Sequence, residues 1–378
     1  MPVPFFDIHA TLGPRDREAI LARWRGVLEH GRFLHGPEVG EFESRMAAFL
    51  GVEHVVACSN GSDALVLCLQ AVGIRPGDEV IVPAFTFFAS AGAVARVGAA
   101  PVFADVDPET LNLSPEAAAA KVTPRTAAVL AVHLFGCPAP VAEIRRAVGM
   151  AAGRQVPVLE DAAQAVGAAA EEGPCGGMGL AAGFSCFPTK NLAALGDAGF
   201  VSTRDGRLAA RVRCLREHGQ DGPYRHTEVG RNARMDTLQA AVLLERLPQL
   251  LAWNAARQAG AARYRELLAD AGLLDAVAPL RAHPGHVYHQ FVVQVEGREA
   301  LRSALDEAGV GTAVYYPVPL HLQPCFAPLG GREGDLPVCE RAARRVLALP
   351  IHPGMTEAAR REVVAALARI LERAGTSA

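Results

Sequence analysis

The chain is 378 residues long, half of them apolar and a fifth charged, with a net charge of −3 at pH 7. That length and apolar share suit a globular protein of two or three domain-sized units and exclude a disordered or collagen-like chain. With 37 basic against 40 acidic residues there is no broad basic field, so nucleic acid is not the expected partner.

The N-terminus, MPVPFFDIHATLGPRDRE, has no basic run followed by an apolar one, so no signal peptide is expected. The longest uncharged apolar stretch, about residues 80–95, is too short to span a bilayer and holds Pro83. The eight cysteines form no C-x-x-C pair and no zinc-type cluster, as expected of buried thiols in a reducing compartment. These features together predict a cytoplasmic protein with a small-molecule substrate and no bound metal.

Through the first two thirds, short apolar runs alternate with helical patterns. Strands are expected at 55–59, 79–83, 101–107, 127–135 and 156–161, followed by 183–187 and 199–203. Helices are expected after the first two strands and over 139–152. Continuous apolar strands separated by helices predict a parallel sheet covered on both faces. A long helical stretch then runs from Met235 to Gly272, with Pro248 expected to interrupt it. Beyond residue 275 come a strand at 289–296, a helix at 299–308 and a second helical pattern at 338–348. The expected organisation is a large α/β domain over 1–245, and a hinge helix with a smaller α+β domain over 246–378.

Three places carry chemistry. SNGSDAL (59–65) follows a strand and opens a helix. Its Gly61, Ser62 and Asp63 present backbone N–H groups and a hydroxyl where a helix dipole favours an anion, or else an ordinary N-cap. VPVLEDAAQ (156–164) puts Glu160 and Asp161 at the carboxyl end of a strand, where open α/β sheets bind ligands, with Gln164 one turn beyond. A carboxylate there needs a cation or several donors, and no basic residue lies near in sequence.

FSCFPTKN (184–191) supplies Ser185 and Lys190. Only two of the 37 basic residues are lysines, Lys121 and Lys190. Where arginine has replaced lysine almost everywhere, a surviving lysine in an apolar setting points to a need for an amine, because a guanidinium stays protonated and forms no Schiff base. An anion cradle, a carboxylate and a desolvated lysine together match pyridoxal phosphate: phosphate anchor, partner for the pyridinium nitrogen, and Schiff-base amine. GMGLAA (177–182) is a relaxed dinucleotide string without a preceding strand, and His133 with Cys137 reads as core beside a turn.

Eight ordered motifs, GRFLHGPEVGEFE, SNGSDAL, GDEVIVPAFTFFAS, PVFADVDPETLNL, EDAAQAVGA, FSCFPTKN, GRNARMDTLQAA and YYPVPLHLQP, make the chain resemble the DegT/StrS-type sugar aminotransferases. The resemblance implies the fold type I architecture of pyridoxal-phosphate transferases. It also implies that Lys190 bonds the cofactor, Asp161 pairs with the pyridinium nitrogen, Gln164 faces the phenolic oxygen and Phe87 stacks on the ring. Ser62, the Asp63 N–H and Ser185 would hold the phosphate. Asn232 would reach it from a second subunit, implying a homodimer. Phe187 departs from the His or Tyr of many members, and Tyr315 from a frequent His before Tyr316.

The implied reaction moves an amino group from L-glutamate, giving 2-oxoglutarate, to a nucleotide-linked keto sugar by way of pyridoxamine phosphate. HGQDGPYRHTEVGRNARMDTLQAA most resembles the branch aminating C3 of UDP-2-acetamido-2-deoxy-3-oxo-glucuronate for bacterial surface polysaccharide such as O-antigen. Arg225, Arg231 and Arg234 would suit the uronic carboxylate, and Arg231, Tyr315, Tyr316 and His321 are the expected substrate contacts. The alternatives are another keto sugar, such as a dTDP-3- or 4-keto-6-deoxyhexose, or a non-catalytic regulatory protein that only binds the cofactor. Relatives that dehydrate sugars replace the lysine with His, so Lys190 argues against that chemistry.

Overall fold

The computed structural model describes residues 2–375. A seven-stranded sheet forms the centre, built from β1 (His54–Cys58), β2 (Glu79–Pro83), β3 (Ala100–Ala104), β4 (Thr126–Val132) and β5 (Val158–Asp161). A short hairpin of β6 (Ala169–Ala170) and β7 (Gly173–Pro174) precedes its last two strands, β8 (Ala182–Ser185) and β9 (Gly199–Thr203). The spatial order is β1-β9-β8-β5-β4-β2-β3, and β9 alone runs against the others. Helices cover both faces, so β2 and β4 are buried almost throughout, which is why these strands read as continuous apolar runs.

Two helices not expected from the sequence, α1 (Pro14–His30) and α2 (Pro37–Leu50), pack on this unit. They are followed by α3 (Gly61–Val72), α4 (Ala89–Arg96), α5 (Pro115–Ala120), α6 (Val141–Ala152), α7 (Gly206–Arg216) and α8 (Thr237–Arg246). Pro248 does interrupt the long helical stretch. α8 stops at Arg246, a 3-10 turn spans Leu247–Gln249, and α9 (Leu250–Asp270) continues from there. The division proposed at 245/246 thus falls on the last turn of α8.

A three-stranded antiparallel sheet follows, of β10 (Val277–Pro279), β11 (Phe291–Val295) and β12 (Val346–Leu349), with α10 (Arg298–Glu307), α11 (Pro337–Arg345) and α12 (Glu357–Gly375). The helical reading of 338–348 is corrected here. The helix ends at Arg345, and the next four residues pair with β11, Val346 and Ala348 packing toward the large sheet and Leu347 and Leu349 into the core against α9 and α12. The N-terminal strip also belongs to this unit, since Val3 bridges Val310. No helix among the described residues is long and apolar enough to cross a membrane.

Candidate active site

A cavity of about 620 Å³ opens at the carboxyl ends of β1, β2, β5 and β8. Alternation along β5 separates its two terminal acids. Asp161 faces the cavity, whereas the buried Glu160 turns to the other face. There the Glu160 carboxylate accepts the N–H groups of Gly176, Met178 and Gly179 at 2.7, 3.0 and 2.6 Å, and a hydrogen bond from His133 Nε2 at 2.8 Å. Burial raises the Glu160 pKa, but those donors outweigh it and keep the group ionised. His133 Nδ1 accepts from the Ala139 N–H at 2.9 Å, so the imidazole carries its proton on Nε2. Glu160 is thereby a structural clasp, and the ligand-facing role falls to Asp161 alone.

Asp161 Oδ2 accepts from the Ser90 hydroxyl at 2.7 Å, and Oδ1 from the Ala163 N–H at 3.1 Å. Ser90 is in turn 3.2 Å from the Thr86 hydroxyl. No salt bridge reaches Asp161 among the described residues, and burial pushes its pKa up against these donors and Lys190. A buried acid that is hydrogen-bonded but not ion-paired suits a protonated ring nitrogen. Lys190 lines the same cavity, and burial lowers its pKa to about 8 against the opposing pull of Asp161 and Cys186. It therefore reaches the neutral, nucleophilic form near physiological pH.

The anion cradle is also present, with one change. Asn60 caps α3, its Oδ1 accepting the Asp63 N–H at 2.8 Å. The Asp63 N–H expected for the phosphate is thus already engaged. Among the described residues, the Gly61 and Ser62 N–H groups remain as free donors of that first turn, beside the Ser62 and Ser185 hydroxyls. The Asp63 carboxylate accepts from Ser59, Asn60 and Arg231 at 2.7, 2.9 and 3.1 Å, which keeps it ionised despite burial.

Gly61 is required by packing, since a Cβ there would lie 2.6 Å from Ser185 Cβ. Gly61→Ala is expected to cost about 1–3 kcal/mol and to weaken cofactor binding, because either α3 or β8 must retreat. Thermal unfolding and a spectral titration with pyridoxal phosphate check both effects.

Gln164 spans the cavity edge, accepting from the Phe135 N–H at 2.6 Å and donating to the Tyr316 hydroxyl at 3.1 Å. Phe87, half exposed, contacts the Tyr316 ring at 6.0 Å and leaves one face open to the cavity. Tyr315 and Phe187 also line it.

Five expected residues do not: Arg225, Arg231, Asn232, Arg234, which lies 3.5 Å from the Glu217 carboxylate, and His321. Arg231 is held by Asp63, and Asn232 is exposed outside its own chain's cavity. His321 is buried with its Nε2 3.1 Å from Glu340, so the expected substrate contact is corrected to a structural pair. Asn60, Thr86, Arg96, Asp197 and His289 line the cavity without having been singled out from the sequence. Ser90, fully buried behind Asp161, was also passed over, although it carried a signal: a polar residue in the first turn of an otherwise Ala- and Gly-rich helix.

The family model for the DegT/DnrJ/EryC1/StrS aminotransferases matches residues 14–368. The chain belongs to this family. It is 44% identical over 344 residues to a pleiotropic regulatory protein of Geobacillus stearothermophilus, covering 90% of this chain and 91% of that one. It is 41% identical over 353 residues to the UDP-2-acetamido-2-deoxy-3-oxo-D-glucuronate aminotransferase of Pseudomonas aeruginosa, covering 93% and 96%. Transaminases of dTDP-linked sugars are similar in the same range. A crystal structure of S. venezuelae DesV in complex with a ketimine intermediate superposes with a TM-score of 0.91 at 41% identity, covering 98% of this chain and 99% of that one.

The aminotransferase is thus a fold type I, pyridoxal-phosphate-dependent enzyme. A purely regulatory, non-catalytic protein is set aside.

Proposed function

We propose that the enzyme transfers the amino group of L-glutamate to C3 of a UDP-linked 3-keto-uronate for surface-polysaccharide synthesis, working as a cytoplasmic homodimer. The observation that carries the catalytic reading is the shared cavity of Lys190 and Asp161 beside the α3 N-terminus. The sugar reading is supported by the Pseudomonas relative, which matches almost end to end. Arg225, exposed on the 218–230 loop, remains a candidate for the uronic carboxylate.

Pyridoxal phosphate, when bound, supplies an electron sink that takes up the electron pair of the breaking C–H bond. Lys190 is the residue that would hold it covalently and, once displaced, would move the proton between donor or acceptor carbon and cofactor through Nζ. Asp161 would hold the ring nitrogen protonated, its own place fixed by Ser90 and Ala163. Gly61, Ser62 and Ser185 would bind the phosphate, and Gln164 would orient the phenolic oxygen. Phe87 would stack on the ring. Asn232, exposed in the single chain, would complete the phosphate site of a second subunit.

Varying glutamate and keto sugar together should give parallel initial-rate lines, because the amino group is parked on the enzyme between two half-reactions. Intersecting lines would exclude that order. A UDP-linked 3-keto-uronate is expected to turn over faster than a dTDP-4-keto-6-deoxyhexose. The dTDP-sugar relatives favour the reverse preference, and finding it would replace the uronate reading.

A further inference from the structure

His289 is a cavity-lining, buried titratable group to which the reading above gives no role. It sits just before β11, is 6% exposed, and reaches the cavity from the smaller sheet's side of the molecule. Its protonation is dictated by a buried chain of amides. Asn191, next to Lys190, donates through Nδ2 to Asn254 Oδ1 at 2.8 Å and to the Val287 carbonyl at 3.1 Å. Asn254 is itself fixed on α9 by donating to the Val166 carbonyl at 3.0 Å. Both protons of the Asn191 amide are therefore used, and its Oδ1 is an acceptor facing His289 Nδ1 at 3.3 Å.

The imidazole must then carry its proton on Nδ1, leaving the Nε2 lone pair free. Among the described residues, its hydrogen-bond partner is the Gln290 amide nitrogen at 3.5 Å, the outer limit of such a bond. Burial, Lys190, Arg257 and His286 all push this imidazole well below its usual pKa, so it stays neutral. Arg257 reaches it from α9 by holding the Tyr288 and His289 carbonyls at 3.2 and 3.4 Å.

We propose that His289 is a positioning residue for Lys190: its Nε2, locked as an acceptor by Asn191, takes a hydrogen bond from the lysine amine and aims that amine at the reacting carbon. The inference rests on the reading of Lys190 given above, and Asn191 lets the backbone neighbour of the lysine set the state of its partner.

Two substitutions separate the two ring nitrogens. In His289→Asn the amide falls near the place of Nδ1, keeping the Asn191 bond and losing the cavity acceptor. In His289→Gln the amide reaches the place of Nε2, keeping the acceptor and losing the Asn191 bond. His289→Asn should lower kcat about 100-fold, the cost of a misaimed group, with the KM for glutamate nearly unchanged. His289→Gln should stay within about threefold of the parent.

A readout apart from turnover comes from the two-lysine composition. After glutamate has converted the bound cofactor to its amine form, acetylation of free Lys190 against pH, with Lys121 as internal reference, reports the lysine's ionisation. A neutral acceptor favours the ammonium, so His289→Asn should shift the labelling midpoint down by about one pH unit, and His289→Gln should not. Equal losses in the two variants, or a loss confined to the glutamine variant, overturn the proposal. Should the asparagine variant fail to fold, the glutamine variant decides: parent-like kcat and midpoint support the acceptor role, and a large loss removes it. Borohydride reduction of the parent holoenzyme, with the cofactor mass found on the Lys190 peptide, independently checks the underlying reading of the lysine.

Discussion

Lys190→Ala is expected to lower the glutamate half-reaction by about 10⁴-fold or more, since one side chain serves as covalent anchor and as proton carrier. The variant should still bind pyridoxal phosphate, because the donors of Gly61, Ser62 and Ser185 and the carboxylate of Asp161 are untouched. What it should lose is the conversion of the visible spectrum by glutamate. Lys190→Arg should fare no better despite keeping the charge. A guanidinium stays protonated at every accessible pH, whereas the buried amine, with its pKa lowered to about 8, can give up its proton near physiological pH. Normal turnover in either variant would move the chemistry to another residue, and Lys121, at the C-cap of α5, is the only other lysine.

The second large effect belongs to Asp161. Asp161→Asn preserves shape, its amide oxygen keeping the Ala163 N–H and its NH2 donating to the Ser90 hydroxyl, but removes the negative charge opposite the ring nitrogen, and should slow the half-reaction about 10³-fold. The same substitution should behave oppositely in the cofactor-free protein. Burial raises the folded-state pKa of Asp161, so between the ordinary carboxyl pKa and the raised one the folded protein holds more protons than the unfolded chain. Stability contributed by this group is therefore present in acid and lost as pH rises through the raised value. The asparagine variant, having no charge to bury, should unfold at equal or higher temperature than the parent at neutral pH without cofactor, and should gain less when cofactor is added. Calorimetry with and without pyridoxal phosphate measures both. A parent-like gain on cofactor addition would show that the carboxylate does not meet the ring nitrogen.

Much of this arrangement was legible in the chain because buried parallel strands leave unbroken apolar runs, and their carboxyl ends mark where ligands go. Asp161, Ser185 and Lys190 were found in that way. α1 and α2 were not. Both carry an apolar stripe at helical spacing, Ile20, Leu21, Trp24, Val27 and Leu28 in α1 and Val39, Phe42, Met46 and Leu50 in α2, so the pattern was there to be read, and each is held by packing on α8. β12, by contrast, was hidden: four apolar residues directly after a helix continue its pattern as well as they begin a strand.

Within the site, the misreadings came from partners far apart in sequence. Asn60 was passed over as the residue before the glycine, although its side chain is what occupies the Asp63 N–H. Arg231 and His321 looked available for substrate because Asp63 and Glu340, which engage them, lie 168 and 19 residues away. Spacing reports the face a residue occupies on its own element, and these pairings are made between elements.

The one reversed strand of the large sheet has a consequence for the lysine. Because β9 runs back alongside β8, the segment bearing Lys190 is a short excursion clasped at its base, with Ser185 opposite Gly199, the Cys186 N–H on the Ala198 carbonyl and the Ala194 N–H on the Cys186 carbonyl. A parallel successor would have required a long crossover between those strands, and the amine would have ridden on a much larger loop. Here the conformational freedom of the amine's tether is surrendered once, when the sheet zips up, and does not have to be surrendered again at each catalytic cycle.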